Sequence, residues 1–173
     1  GAANNYLQTL DYRYNAQGNL THINNTALII DAFNDDDDDV FGQEITYFNK
    51  SSEYYVPEGT PSTSDPHKPK PQYSGNISSM MWNAKTPDED GTLLTRHAYV
   101  YSYDDLGNLT RALYGADSPA MPGEFNQNKD YYNEEIGYDT GGNIMRLKRN
   151  RQTTPQSYPN PVVMDDIQYT YQN

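Results

Sequence analysis

The sequence predicts an all-β fold in which consecutive antiparallel β-hairpins form one twisted, curved repeat sheet. Three observations predict it: a tyrosine-rich phrase recurs along the chain, 17 of the 173 residues are tyrosine, and apolar residues alternate with polar ones before the full copies. Tyrosine has an apolar ring and a polar tip, so a half-exposed sheet can be built largely from it. The aromatic content of 13% argues against disorder, although only 35% of residues are hydrophobic.

The recurring phrase is Tyr-x-Tyr-[Asn/Asp]-x-x-Gly-Asn-[Leu/Ile]. Full copies run over 12–20, 101–109 and 136–144, although Ile136 and Gly137 replace the opening Tyr-x in the last one. Residues 39–45 keep the Asp-x-x-Gly core without tyrosines, and residues 73–77 keep Gly-Asn-Ile. Tyr169 and Tyr171 open another copy, which is truncated at 173. We therefore expect the sequence to be a fragment of a longer repeat protein.

Each copy of the phrase predicts a hairpin turn. Asn or Asp followed three positions later by Gly is typical of a type I turn that ends on a glycine of positive φ, in a hairpin with a G1 bulge. The Asn or Asp side chain accepts hydrogen bonds from the backbone of such a turn. The predicted pairs are Asn15 with Gly18, Asp39 with Gly42, Asp104 with Gly107 and Asp139 with Gly142, and Gly75 is the centre of a shortened copy.

The segments between the copies predict loops and one further strand. The run from Ala27 to Phe33 is short, apolar and rich in β-branched residues, which favours a buried strand. Residues 57–72 are proline-rich and predict an extended loop, and 119–123 and 155–161 predict further long loops. No amphipathic helix is evident, and none of the loops divides the chain, so we predict a single domain over residues 1–173.

Composition excludes several classes of function. The net charge of −12 opposes binding to nucleic acid, which requires clustered Lys and Arg. The absence of cysteine excludes disulfides, thiolate nucleophiles and Cys-ligated metals. No apolar run approaches the roughly 18 residues of a membrane helix, so we expect no membrane insertion. Without a nucleophile elbow or a phosphate-binding glycine loop, we expect neither an enzyme nor a bound cofactor.

Two features are candidate binding sites. The run from Asp35 to Asp39 lacks the alternating spacing of a calcium loop, so a solvated loop is favoured over a weak cation site at Asp35, Asp37 and Asp39. Trp82, Tyr101 and Tyr103 could stack on sugar rings, whereas the competing interpretation makes Trp82 part of the core.

The phrase at 103–111, Tyr-Asp-Asp-Leu-Gly-Asn-Leu-Thr-Arg, closely resembles the YD repeat of the RHS family. Residues 41–47 and 71–77 resemble the version in Bacteroidetes-type RHS proteins. The resemblance implies hairpins that form a spiralling sheet closed into a hollow shell, which in toxin-related members encloses a toxic polypeptide. It also implies a secreted or cell-surface bacterial protein. The Asp-Pro-x-Gly segment linked to autoproteolysis is missing from this sequence, so that cleavage is not carried over.

The leading hypothesis is therefore a non-catalytic structural repeat module. Its expected partners are the neighbouring repeats of its own parent chain, and its free sheet edges predict self-association. The second hypothesis is a carbohydrate-binding or surface-binding module that uses Trp82 and exposed tyrosines. An enzyme is the third and the weakest.

Overall fold

The structure, a computed structural model, describes residues 9–32, 39–47, 72–85, 96–118, 121–126, 131–151 and 162–171. The chain is all-β, as predicted. The strands are β1 (Tyr12–Tyr14), β2 (Leu20–Ile23), β3 (Phe41–Thr46), β4 (Ser79–Ala84), β5 (His97–Tyr103), β6 (Leu109–Ser118), β7 (Met121–Asn126), β8 (Glu134–Tyr138), β9 (Ile144–Arg151) and β10 (Val162–Gln168). Within these ranges, no helix has the length and apolarity that crossing a membrane requires.

The ten strands form one open antiparallel sheet. Its strand order is β1-β2-β3-β4-β5-β6-β8-β9-β10. Neighbouring strands in the sheet are therefore consecutive in the chain, except that β7 lies outside this order. The strand β7 pairs with the end of β6, where Ala116 lies opposite Asn126, and β8 pairs with an earlier part of β6, where Ala112 lies opposite Glu134. The strands β1 and β10 lie at the two edges of the sheet.

Three of the predicted turns are confirmed. Gly18, Gly107 and Gly142 have φ values of 82°, 86° and 82°, and each donates its N–H to the carbonyl of the Asn or Asp three residues earlier, at 3.0 or 3.1 Å. The pairing register shifts at the residue before each turn, which is Tyr14, Tyr103 or Tyr138. This is the G1 bulge expected of a type I turn followed by a left-handed glycine.

The predicted turn at Asp39 and Gly42 is wrong. Gly42 lies within β3, opposite Asn83 in β4, and does not have a positive φ. A β-carbon added at Gly42 would collide with the backbone carbonyl of Asn25 and crowd Leu28. Glycine is therefore present at this position because another segment of backbone lies against the strand, and not because the chain turns.

The second hairpin instead turns at Gly75, whose φ is 93°. Its two strands are β3 and β4, and the tyrosine before its turn is Tyr47, whose carbonyl accepts a hydrogen bond from the N–H of Gln72 at 2.9 Å. Tyr47 and Gly75 are 28 positions apart, whereas Tyr103 and Gly107 are four apart, so this turn carries 24 additional residues. The two weak copies of the phrase are thus two halves of one hairpin.

Setting the 24 additional residues aside makes the repeat regular. Gly18 and Gly75 are then 33 positions apart, and the next two steps, to Gly107 and to Gly142, are 32 and 35. Residues 48–71, which include nearly all of the predicted proline-rich loop, lie outside the described part of the chain, as do residues 152–161.

Two other predictions about the connecting segments are corrected. Residues 27–30 form no strand: Leu28 has a φ of 54° and donates its N–H to the carbonyl of Asn25 at 3.1 Å, in a turn that buries its side chain to 3% exposure. Residues 121–126 form the strand β7, although a loop is predicted over 119–123. In both segments, contact with a neighbouring strand decides a conformation that local composition does not specify.

The buried apolar side chains lie in the middle of the sheet and in the turn at Leu28. Those of the described residues are Leu28, Met81, Val100, Ala112 and Leu113. Polar side chains are buried as well, and several of them are hydrogen-bonded to backbone, as buried polar groups generally are. Asn24, 1% exposed, accepts from the N–H of Asp11 at 2.7 Å and donates to the carbonyl of Phe41 at 2.9 Å. Asn83 donates to the carbonyl of Thr26 at 3.0 Å.

Candidate functional site

The turn carboxylates bind the backbone of their own turns. One oxygen of Asp104 accepts from the N–H groups of Leu106 and Asn108 at 2.9 and 2.8 Å, and the other accepts from the Asn108 side-chain amide at 3.0 Å. The side-chain amide of Asn108, followed by the backbone N–H groups, holds the pKa of Asp104 below its ordinary value of 3.8. The carboxylate of Asp104 is therefore used for structure.

The same arrangement recurs in the other confirmed turns. Asp139 accepts from the N–H groups of Gly141 and Asn143 at 2.8 and 2.9 Å and from the Asn143 side chain at 3.0 Å, and its pKa is lowered in the same way. Asn15 accepts from the N–H groups of Gln17 and Asn19 at 3.0 and 2.9 Å. The hydrogen bonds made by the Asn that follows each turn glycine are not predicted from the sequence. The recurrence of this Asn in the phrase is the signal that could have identified them.

A hydroxyl side chain joins the two strands of three hairpins. Thr21, Ser78 and Thr110 occupy the third position after the turn glycine. Their hydroxyls donate to the carbonyls of Arg13, Thr46 and Ser102 at 3.1, 2.8 and 3.1 Å, and each of these carbonyls belongs to the residue before the hairpin's tyrosine. The common geometry supports the assignment of Tyr47 and Gly75 to one repeat.

A tyrosine hydroxyl joins each hairpin to the preceding one. We name these residues the bridging tyrosines. Each is the last tyrosine before a turn, or before the position at which the next turn is expected. Each donates its hydroxyl to the carbonyl of the second residue after the turn glycine of the preceding hairpin. The bonds are Tyr47 to Leu20 at 3.0 Å, Tyr103 to Ile77 at 2.8 Å, Tyr138 to Leu109 at 2.8 Å and Tyr171 to Ile144 at 2.9 Å. The period-2 pattern predicts Tyr103, Tyr138 and Tyr171 on one face, but it predicts neither Tyr47 nor any of the four acceptors.

Trp82 lies in a row of aromatic rings on β4, β5 and β6. Its ring stacks on His97 at 5.5 Å and 27° and on Tyr99 at 5.8 Å and 21°. The hydroxyl of Tyr114 lies 2.6 Å from Nδ1 of His97, and its ring meets Tyr132 edge to face at 5.0 Å. The rings thus contact one another, as in aromatic packing. They are partly buried, apart from Tyr132, which is exposed at 39%.

Tyr101 and Tyr103 differ in what their side chains contact. Tyr101 stacks on Tyr99 at 6.1 Å, and burial, assisted by the neighbouring tyrosines and Glu134, raises its pKa to about 12. The hydroxyl of Tyr103 is a bridging group, and burial raises its pKa as well. The structure therefore brings Tyr101 into the aromatic row with Trp82, while the hydroxyl of Tyr103 binds the preceding hairpin.

A row of charged and polar residues crosses β1, β2 and β3, and the sequence does not reveal it. Arg13, His22 and Glu44 lie directly opposite one another in register. Nε2 of His22 is 3.9 Å from Oε1 of Glu44. Burial, and then the charge of Arg13, lowers the pKa of His22 to about 4, and burial raises the pKa of Glu44. At neutral pH the histidine is uncharged.

The described residues provide no cluster for a cation. Asp35 and Asp37 lie outside the described part of the chain, and Asp39 is 1% exposed. Among the described residues, no group of three or more His, Asp or Glu side chains could hold a metal ion. The cation site at Asp35, Asp37 and Asp39 stays a prediction.

Comparison with known proteins provides no relative: no family model, no curated protein and no solved structure matches this chain. The resemblance to RHS repeats therefore stays a prediction from the phrase itself. The turns, the bridging tyrosines and the aromatic row are the features of the chain that bear on its function.

Proposed function

We propose that the chain is a non-catalytic structural repeat module, which contributes hairpins to the β-sheet shell of a large secreted or cell-surface RHS-type protein. The observation that carries this proposal is the bridging tyrosine, because four successive hairpin junctions have the same hydroxyl-to-carbonyl bond. The binding partners of this module are then the neighbouring repeats of the same polypeptide.

The bridging bonds are the interactions that a repeat array requires. In such arrays each unit contacts only its neighbours, so stability is approximately the sum of unit terms and nearest-neighbour terms. The turn carboxylates and the strand-joining hydroxyls contribute to the unit term, because they close one hairpin. The bridging tyrosines contribute to the neighbour term, because each bond has its donor in one hairpin and its acceptor in the one before.

The recurring side chains also support a structural role. The Asp or Asn of each confirmed turn accepts backbone hydrogen bonds, and the hydroxyls of Thr21, Ser78 and Thr110 donate to backbone carbonyls. A catalytic group needs a free position at which a reacting atom can bind. The repeated groups instead bind main chain, and they do so at equivalent positions.

Tandem duplication tests this proposal. A second copy of residues 104–138, inserted after Tyr138, adds one turn, one return strand and one bridging tyrosine in register. We expect this longer chain to fold with more strand by circular dichroism and with a thermal midpoint at or above that of the original chain. The control carries the same 35 residues in scrambled order and is expected to unfold at a lower temperature. A duplicated chain that is no more stable than the scrambled control would refute the repeat-module proposal.

A second candidate function is carbohydrate binding by the aromatic row. Its supporting observation is a row of partly exposed rings that ends at Tyr132, which is 39% exposed and lies beside Tyr114. Trp82 is the single tryptophan, so its fluorescence reports on the row directly. Titration with a panel of soluble oligosaccharides would shift the emission if sugars stack on the row. Trp82→Ala would then abolish retention on an affinity gel that carries the matching sugar, whereas the control, Tyr73→Ala, would leave retention unchanged. Uniformly flat titrations and no retention would eliminate this candidate.

A further inference from the structure

We infer that β1 is a docking edge for the return strand of another hairpin of the same repeat, and that Tyr14 is the bridging tyrosine of that junction. The inference rests on the proposed function and identifies where the module joins its neighbour. The observation behind it is a difference between Tyr14 and the bridging tyrosines.

Tyr14 occupies the bridging position. It lies four residues before its turn glycine, Gly18, as Tyr103 and Tyr138 lie four residues before Gly107 and Gly142. The register shift at its position is also the same. The hydroxyls of Tyr103 and Tyr138 donate to carbonyls at 2.8 Å, whereas the hydroxyl of Tyr14 has no hydrogen bond within the described residues, and its side chain is 62% exposed.

Among the described strands, the one that carries Tyr14 has a neighbour on one side only. The strand β1 pairs with β2 and ends the sheet, whereas the corresponding strand β5 lies between β4 and β6. The segment that leads into β4 supplies the acceptor for Tyr103, the carbonyl of Ile77. By the same geometry, the neighbour missing from β1 is an antiparallel return strand that follows a Gly-Asn-Leu or Gly-Asn-Ile turn.

The acceptors of this chain show which kind of partner fits. In the described part of the chain, four carbonyls lie two residues after a turn glycine, those of Leu20, Ile77, Leu109 and Ile144, and each already accepts from a bridging tyrosine. The described strands of a second folded copy therefore offer no free return strand. The partner that fits is a hairpin of the same phrase that lacks a following hairpin of its own, as a unit placed ahead of β1 would be.

The segment around β1 exposes apolar surface, as a protein interface does. Leu10, Tyr12 and Tyr14 are 46%, 51% and 62% exposed, so apolar side chains are available beside the edge strand. An added strand gains affinity from main-chain hydrogen bonds and specificity from alternate side chains. Tyr14 would select a partner whose backbone carbonyl lies at the bridging position.

The test places residues 97–118 directly ahead of Gly1 in the full chain. This segment contains β5, its turn and β6. Residues 1–11 then connect the added return strand to β1, close in length to the ten residues, 152–161, that connect β9 to β10. We expect amide hydrogen exchange in β1 to slow at least tenfold relative to the original chain. A control in which the added 22 residues are scrambled should leave exchange unchanged.

Tyr14→Phe separates the proposed bridge from general stabilisation. In the extended chain, it should lower the urea midpoint and restore part of the fast exchange in β1, whereas in the original chain it should change neither. The docking edge is refuted if amide exchange in β1 does not slow, or if Tyr14→Phe has the same effect in both chains. A successful duplication of residues 104–138 would still support the repeat module in that case. Protection of β1 that depends on the concentration of the original chain would instead identify a second copy as the occupant and overturn the choice of partner.

Discussion

The hairpins β5–β6 and β8–β9 have the same turn but different surroundings. Asp104 and Asp139 make equivalent hydrogen bonds, within 0.1 Å of each other. Yet the β5–β6 hairpin buries Val100 and Leu113, at 3% and 9% exposure, whereas Ile144 in β9 is 37% exposed. The phrase therefore specifies the turn wherever it occurs, and burial depends on the segments that cover the strands.

The largest expected effect comes from Gly42 in β3, against which the backbone of Asn25 lies. Gly42→Ala places a β-carbon against the backbone carbonyl of Asn25, which cannot rotate away as a side chain could. We expect the free energy of unfolding to fall by about 3 kcal/mol. Gly137→Ala in β8 is the matched control, because its nearest neighbour would be the Arg146 β-carbon at 3.8 Å, and it should cost less than about 1 kcal/mol. Equal losses in urea unfolding would contradict the difference between Gly42, which backbone covers, and Gly137 in the β8–β9 hairpin, where a β-carbon would make only an ordinary van der Waals contact.

A smaller effect is expected from truncating leucine and isoleucine side chains. Leu113→Ala removes a side chain that is 9% exposed, and it should cost about 2 to 3 kcal/mol. Ile144→Ala removes one that is 37% exposed, and it should cost less than about 1 kcal/mol. Urea unfolding of both variants measures the difference, and a larger loss for Ile144→Ala would show that β9 is covered in solution by a segment or partner.

The sequence predicts most of the fold because the turn chemistry is local. Asn15, Asp104 and Asp139 lie within four residues of every group that they bind in their turns, so the phrase alone specifies them. The second hairpin is not predicted correctly, because 24 additional residues separate Tyr47 from Gly75 and leave neither half recognisable. The Asp-x-x-Gly spacing at Asp39 then matches by chance.

The bridging bonds could not be predicted, because their acceptors are distant in sequence. The donor and acceptor are separated by 26 to 29 positions, and the acceptor is a main-chain carbonyl that any residue would provide. The row of Arg13, His22 and Glu44 is equally invisible, since cross-strand register decides it. Alternation identifies the face on which a tyrosine lies but not the atom that its hydroxyl reaches.

The pH dependence of the turns should be the same in both hairpins, because each carboxylate is held by the hydrogen bonds of its own turn. A carboxyl whose pKa is lowered in the folded state contributes stability above its ordinary pKa, and that contribution is lost as the pH falls through the lowered value. Carboxyl NMR titration should give Asp104 and Asp139 similar pKa values below 3.8. Asn108→Ala should raise the pKa of Asp104 and leave that of Asp139 unchanged. An equal change at Asp139 would contradict the claim that the hydrogen bonds of each turn set the pKa of its own carboxyl group.

The most direct test of the account is the unfolding of three tyrosine variants. Tyr103→Phe and Tyr138→Phe each remove one bridging hydrogen bond, and each should cost about 1 kcal/mol. Tyr14→Phe, at the equivalent position without a bond, should stay within about 0.5 kcal/mol of the original chain. Urea unfolding of the four proteins gives these values side by side. A loss confined to the two bridging positions is the predicted result, and equal effects at all three tyrosines would contradict the claim that these hydroxyls join the hairpins.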